Sequence, residues 1–158
     1  MIRPATPGDA DAIWAILEPV FRAGDTYAID RDITRADALA YWLAHDTFVL
    51  VEDGDVLGTY YLRRNQQGGG SHVANAAFAT TAAAQGKGVA RRMLTDALAR
   101  ATDAGFAAMQ FNFVVETNIR ALRTWLGAGF REVGRLPGAF DHPTLGRVDA
   151  LVLYRPLA

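Results

Sequence analysis

Six consecutive residues, Gln85-Gly86-Lys87-Gly88-Val89-Ala90, carry the chemistry of an anion site. Small residues let a phosphate approach the backbone, and where such a run opens a helix the free N–H groups and positive dipole end meet its charge. Lys87, Arg91 and Arg92 add positive charge beside it. Two nucleotide signatures fail on spacing. A Walker loop needs Ser or Thr after Gly-Lys, where this chain has Gly88. A dinucleotide fingerprint needs a third small residue where Arg91 stands. A purely structural turn before a helix remains a reading of the same residues. Two asparagines also stand out, Asn75 and Asn112, each a polar residue inside an apolar, strand-like segment. A buried Asn must be hydrogen-bonded, so each either satisfies backbone or orients something in a cleft.

The elements that must hold these residues can be read from periodicity. Asp9 to Arg22 carries Ile13, Trp14, Ile16, Leu17, Val20 and Phe21 at helical spacing, with Thr6 or Asp9 as cap. A second helix is expected from Thr34 as cap to about His45. The loop between them, Gly24 to Asp30, carries Tyr27. Thr47–Glu52 and Val56–Arg63 read as an antiparallel pair joined by Asp53-Gly54, and Asn65–Gly70 as a flexible hairpin tip before a third strand, Ser71–Thr80. Gly88 to Ala104 is the clearest helix, stopped by Gly105. In the strand Met109–Val115 simple alternation puts Met109, Phe111 and Phe113 on one face and Gln110, Asn112 and Val114 on the other. Asn118 then caps a short helix ending at Gly127 and Gly129, and two strands, Phe130–Leu136 and Val148–Tyr154, flank a long loop with Pro and Gly. The order is α-α-β-β-β-α-β-α-β-β.

Composition narrows what such a chain does. With 158 residues, 51% hydrophobic and 21% charged, it suits a single folded unit spanning 1–158. Its formal charge of −1 gives no global electrostatic reason to expect nucleic acid or an anionic membrane, so any anion must be met locally. The absence of Cys excludes disulfides, thiolate catalysis and Cys-ligated zinc, and His45, His72 and His142 lack metal-ligand spacing. No apolar run approaches the ~20 residues of a membrane span and the N-terminus lacks a signal pattern, which points to the cytoplasm.

Taken together, Gln85-x-x-Gly88-x-Ala90 resembles the Q/R-x-x-G-x-G/A acyl-CoA signature of the GNAT (Gcn5-related) N-acetyltransferases, and Asn118-x-x-Ala121-x-x-x-Trp125-x-x-x-Gly129-Phe130 resembles the family's later motif. The element order is similar to the GNAT fold from end to end. The resemblance implies an α/β (α+β) fold with a mixed, mostly antiparallel central sheet flanked by helices, and acetyl-CoA as co-substrate with no metal. It places Phe78, Ala79 and Thr80 along the pantetheine, with N–H groups near Ala79 and Thr80 on the oxyanion. Gln85, Gly86, Lys87, Gly88, Val89, Ala90 and Arg91 fall at the pyrophosphate, and Asn118 and Trp125 beside the cofactor arm. Two departures matter. Trp125 stands where the family usually has a Tyr that protonates the departing thiolate, and an indole is not a practical acid. No Glu occupies Phe111–Val114, where many members carry a base.

Within the family, His72–Phe78, Gln110–Val115 and Trp125 resemble the branch that acetylates proline analogues such as azetidine-2-carboxylate. That carry-over makes Asn75 and Phe78 substrate contacts and Asn112 an orienter of the carbonyl or amine. Asn75, Asn112 and Tyr27 are the candidate catalytic residues, with Tyr27, or else water, as the source of the returned proton. Tyr27, Asn75, Phe78 and His142 are the candidate substrate contacts. A small-molecule amine is the expected acceptor, and a homodimer is compatible with the resemblance. Two other functions stay open on the same scaffold: a non-catalytic acyl-CoA sensor, and an acetyltransferase of protein N-termini or lysines.

Overall fold

In a computed structural model, which describes residues 1–157, the chain builds a seven-stranded sheet in the order β1-β2-β3-β4-β5-β7-β6. Its strands are β1 (Ile2–Pro4), β2 (Asp46–Glu52), β3 (Asp55–Arg64), β4 (Val73–Thr80), β5 (Ala108–Val115), β6 (Arg131–His142) and β7 (Gly146–Pro156). All pairings are antiparallel except β4 with β5. The helices are α1 (Ala10–Ala23), α2 (Arg35–Leu43), α3 (Val89–Asp103) and α4 (Ile119–Gly127).

Strand alternation divides the core between the two faces of this sheet. Ala77 and Ala79 of β4 turn toward Ile13, Ile16, Leu17 and Phe21 of α1 and Trp42 of α2. Ala74, Ala76 and Phe78 turn the other way, toward Met93, Leu94 and Ala97 of α3 and Trp125 of α4. Both faces of β4 are therefore covered, which is why His72 to Thr80 reads as a nearly continuous apolar run. At Gly58 of β3 an added Cβ would lie 2.8 Å from Met93 Cε, so the glycine lets α3 settle directly on the sheet. Thr34 caps α2 as expected, its Oγ1 accepting from the Asp37 N–H at 3.1 Å.

Three expectations from the sequence are corrected. Ile2–Pro4 forms a strand that pairs with Phe48–Leu50; three residues ending in Pro are too short to show alternation. The stretch 137–147 is not a long loop but mostly a continuous hairpin, interrupted by a bulge between Leu136 and Phe140 where the Gly138 N–H donates to Asp149 Oδ1 at 2.8 Å. The faces of β5 are also not those of simple alternation. Between Phe111 and Val114 two residues oppose one of β7, a bulge that reverses parity, so Val114 joins Met109 and Phe111 in the core while Phe113 turns out beside Phe140.

The feature that positions a site is the parting of β4 from β5. The two strands pair only at Val73–Ala108 and Ala74–Met109, after which β4 stays with β3 as far as Thr80 and β5 leaves with β7. No helix is long and apolar enough to cross a membrane, and among the described residues no cluster of three metal-ligating side chains occurs.

Candidate active site

The wedge between β4 and β5 opens two adjoining cavities of about 350 Å³ and about 600 Å³, which share Phe78, Ala79, Thr80, Asn118 and Trp125 among their walls. The larger lies at the start of α3. After β4 the chain makes a tight turn at Ala82–Ala84, passes Gly86 and Gly88 with φ of 78° and 75°, and enters α3. Arg92 is the first α3 residue whose N–H returns to the loop, onto the Gly88 carbonyl at 3.0 Å. The amides of Gly86, Gly88, Val89, Ala90 and Arg91 meet no acceptor among the described residues. Nothing lies within 4 Å of where a Cβ would project from Gly86 or Gly88, so the approach to these amides is open.

The charges around this nest differ from the expected set. Gly86, Gly88, Val89, Ala90 and Arg91 line the cavity, as does Gln85, whose Oε1 accepts from Arg120 at 2.9 Å and ties the loop to α4. Lys87 is exposed and outside the wall, and Arg92 is engaged by Glu52 at 2.6 Å. Arg120 and Arg123 of α4 complete the basic wall instead. They carried no motif, because their approach to α3 depends on how α4 packs.

On β4 the ladder decides which backbone groups are free. Thr81 N–H donates to Leu57 C=O, and in the same register the odd-numbered residues of β4 bond to β3. Ala79 is thus committed to the sheet, while Phe78 and Thr80 direct their N–H and C=O toward the side that β5 has vacated. The expectation that Phe78, Ala79 and Thr80 act alike is corrected by this alternation. The Phe78 pair is held by Tyr27, whose hydroxyl donates to the Phe78 carbonyl and accepts from its N–H at 3.0 Å. The Thr80 pair meets no partner among the described residues.

The smaller cavity has Tyr27, Thr26, Tyr41, Tyr61, Arg63, Asn75 and Asn112 as its polar lining, with Phe111 and Phe113 beside them. A network of amides closes the gap between the strands. Asn75 Nδ2 donates to the Gln110 carbonyl at 2.9 Å, the first carbonyl beyond the paired residues, and Asn75 Oδ1 accepts from Arg63 Nε at 3.1 Å. Asn112 Oδ1 accepts from Gln110 Nε2 at 2.9 Å, and Asn112 Nδ2 donates to Asn65 Oδ1 at 2.6 Å. Asn75 therefore splices the splayed strands, Asn112 ties β5 to the β3–β4 connection, and both face the cavity. Asn65 and Arg63 were not singled out in the sequence, since their arrival here depends on the β3–β4 connection.

Other candidates fall as follows. Trp125 is buried against Phe78 and Phe111, each with a ring-centroid distance of 5.1 Å, and its indole N–H has no acceptor among the described residues. Asn118 stands at the N-terminus of α4, but its side chain makes no capping bond and lines both cavities. His142 is corrected out of the site: it lines neither cavity, and its Nδ1 accepts from Thr144 N–H and Leu145 N–H in the β6–β7 turn. Tyr27 is also a poor proton source, because burial pushes its phenol well above the ordinary value and its proton is already given to Phe78. Among the described residues no carboxylate lines the smaller cavity.

A profile of the Acetyltransferase (GNAT) family matches residues 11–130. A GCN5-related N-acetyltransferase from Kribbella flavida is 41% identical and superposes with a TM-score of 0.95, covering 99% of this chain and 96% of that one. The N-acetyltransferase aca1 of Schizosaccharomyces pombe is 29% identical over 153 residues, 82% of this chain and 71% of its own length. A phosphinothricin acetyltransferase from Sinorhizobium meliloti, solved in complex with acetyl-CoA, has a TM-score of 0.86 at 20% identity, covering 100% of this chain and 88% of that one. At that identity the likeness is one of fold.

Proposed function

The chain belongs to the GNAT family of acetyltransferases, and from that membership we propose that it carries the acetyl group of acetyl-CoA directly to the nitrogen of a small amine, an amino acid or proline analogue. The observation that carries this reading is the cleft itself. One end presents unpartnered amides with Arg91, Arg120 and Arg123, suited to a pyrophosphate and nucleotide phosphate, and the other presents a polar chamber. Between them runs the free edge of β4, with the Thr80 N–H and C=O available to an amide-bearing arm such as pantetheine.

Acetyl-CoA supplies an activated carbonyl: the amine nitrogen bonds to it, the C–S bond breaks, the amine loses a proton, and the departing sulfur gains one. The chain contributes position and charge stabilisation. Direct transfer fits a sequence without Cys, in which no acyl-thiol enzyme can form. The Phe78 N–H is committed to Tyr27, which leaves the Thr80 N–H as the free donor on this edge, and one such donor to a developing oxyanion is worth about 3 kcal/mol. Each asparagine of the splice keeps hydrogen-bonding capacity, since the amide has two N–H donors and a carbonyl with two lone pairs. Asn75 and Asn112 orient the acceptor with what the splice leaves over. Asn118 and Trp125 confine the thioester where the two cavities meet. With no carboxylate lining the chamber among the described residues, and with the Tyr27 phenol pushed up by burial, water removes the amine proton and returns one to the sulfur. The proline-analogue reading is supported by the run His72–Phe78, by Gln110–Val115 and by Trp125.

The test is thiol release from acetyl-CoA against a panel of proline analogues, free amino acids and short peptides, with mass spectrometry of the product. Release that depends on a small amine and yields its N-acetyl derivative is expected. Preference for peptides would move the acceptor to protein, and slow release that is equal with every amine would make the chain an acyl-CoA-binding domain.

A further inference from the structure

Among the described residues Arg63 is the only charged side chain lining the smaller cavity. It has no ion-pair partner among the described residues, unlike Arg3, Arg22, Arg35, Arg92, Arg100 and Arg135, which all have one. Its single hydrogen bond uses Nε, donated to Asn75 Oδ1 at 3.1 Å, so both terminal nitrogens keep their donors. The guanidinium is held in place: Asn75 fixes Nε, and Cζ lies 5.9 Å from the centroid of the Tyr61 ring. Tyr61 is itself bound to Tyr41 through their hydroxyls at 3.1 Å. A partly buried cation held by its neighbours with its fork uncommitted is arranged for a planar, bidentate anion. A second polar group in the same wall is also unmet, since Thr26 Oγ1 is buried without a partner.

The position suits a short acceptor. Arg63 folds back over Tyr61, whose register partner Ala77 adjoins Phe78. Arg63 and Phe78 line the same cavity. Beside it Tyr41 and Tyr61 are phenols, and burial, then Arg63, holds His45 below its ordinary value against the opposing Asp46 carboxylate, which lies outside the cavity wall. An acceptor that was only a cation would be repelled here.

We propose that Arg63 is a specificity-determining residue that binds the carboxylate of the acceptor, so that the chain acetylates amino acids rather than simple amines. This rests on the acetyl-transfer reading above and adds the acceptor's second functional group and the residue that reads it.

The experiment compares azetidine-2-carboxylate and proline with their carboxamides and with azetidine and pyrrolidine, in the wild-type chain and in Arg63→Gln and Arg63→Lys. Acids are expected to exceed amides and simple amines by about a hundredfold in kcat/KM, the scale of a charge-assisted bidentate contact. Arg63→Gln should bring acid and amide to within a few-fold of each other while the KM for acetyl-CoA is unchanged. Arg63→Lys, which keeps the charge without the fork, should fall between. Retained stabilisation by acetyl-CoA shows that each variant is folded, and if Arg63→Gln fails this control the Lys variant carries the comparison. Amides or simple amines acetylated as well as the acids, or an acid preference untouched in a folded variant, overturns the proposal and leaves acetyl transfer standing. Transfer to none of these acceptors by a chain that binds acetyl-CoA overturns both.

Discussion

Tyr27 shows how a side chain can line the candidate site without having an acid proton to offer. Its ring is wedged edge-on between Phe21 and Trp42, at 5.9 and 6.4 Å, and its hydroxyl both donates to and accepts from the peptide of Phe78. Burial raises its pKa well above the ordinary phenol value near 10. Moving a proton from this phenol to a departing thiolate therefore runs uphill. The expected consequence is that Tyr27→Phe keeps kcat within about tenfold, because a general acid is worth roughly 10²–10⁴. The check is turnover at saturating substrates, with circular dichroism to confirm the fold. A loss beyond a hundredfold in a folded variant would return the acid role to Tyr27.

At the scale of elements, a short polar device joins the sheet edge to the first helix. Arg3 on β1 donates to Asp9 through Nη1 and Nη2 at 2.8 and 2.9 Å, and Asp9 Oδ2 also accepts from the Thr6 N–H at 2.7 Å, just before α1. Hydrogen bonds from Arg3, then from Thr6, hold the Asp9 carboxyl far below the usual carboxylate range. A depressed pKa in the folded state adds stability that is complete above the unfolded value near 4 and fades as pH falls below it. Asp9→Asn should therefore cost about 2 kcal/mol at pH 7 and progressively less below about pH 4. Urea unfolding of both proteins at pH 7 and pH 3 checks this, and a gap that widens in acid would contradict it.

Legibility followed the same scale. α1, α2 and α3 were visible because amphipathic periodicity and caps are local properties, and the anion loop was visible because its backbone shape demands glycine at 86 and 88. The strand errors came from features that depend on a partner. A three-residue β1 exists only beside β2, and Pro137-Gly138 resembles a loop until Asp149 meets the Gly138 amide. The bulge at Asn112–Phe113 is defined by the single residue of β7 that opposes it. For the same reason Arg63, Asn65, Arg120 and Arg123 were unreadable as site residues, since distant segments bring them to the cleft.

Over the whole molecule, a formal charge of −1 gives no hint of an anion site, and none is needed. Three arginines from two helices, with five unpartnered amides, concentrate positive potential in one cavity. A ligand there touches β4, α3 and α4 together, so its binding energy is felt as global stability. Acetyl-CoA at about 100 times its dissociation constant should stabilise the fold by about 2.7 kcal/mol, raising Tm by roughly 5–10 °C for a chain of this size. Since the amides and arginines address phosphates, CoA without the acetyl group should give nearly the same shift, and acetyl-pantetheine, which lacks the nucleotide, a much smaller one at equal concentration. Thermal unfolding with the three ligands measures this directly. Equal shifts from acetyl-pantetheine and acetyl-CoA would move the affinity from the start of α3 to the edge of β4.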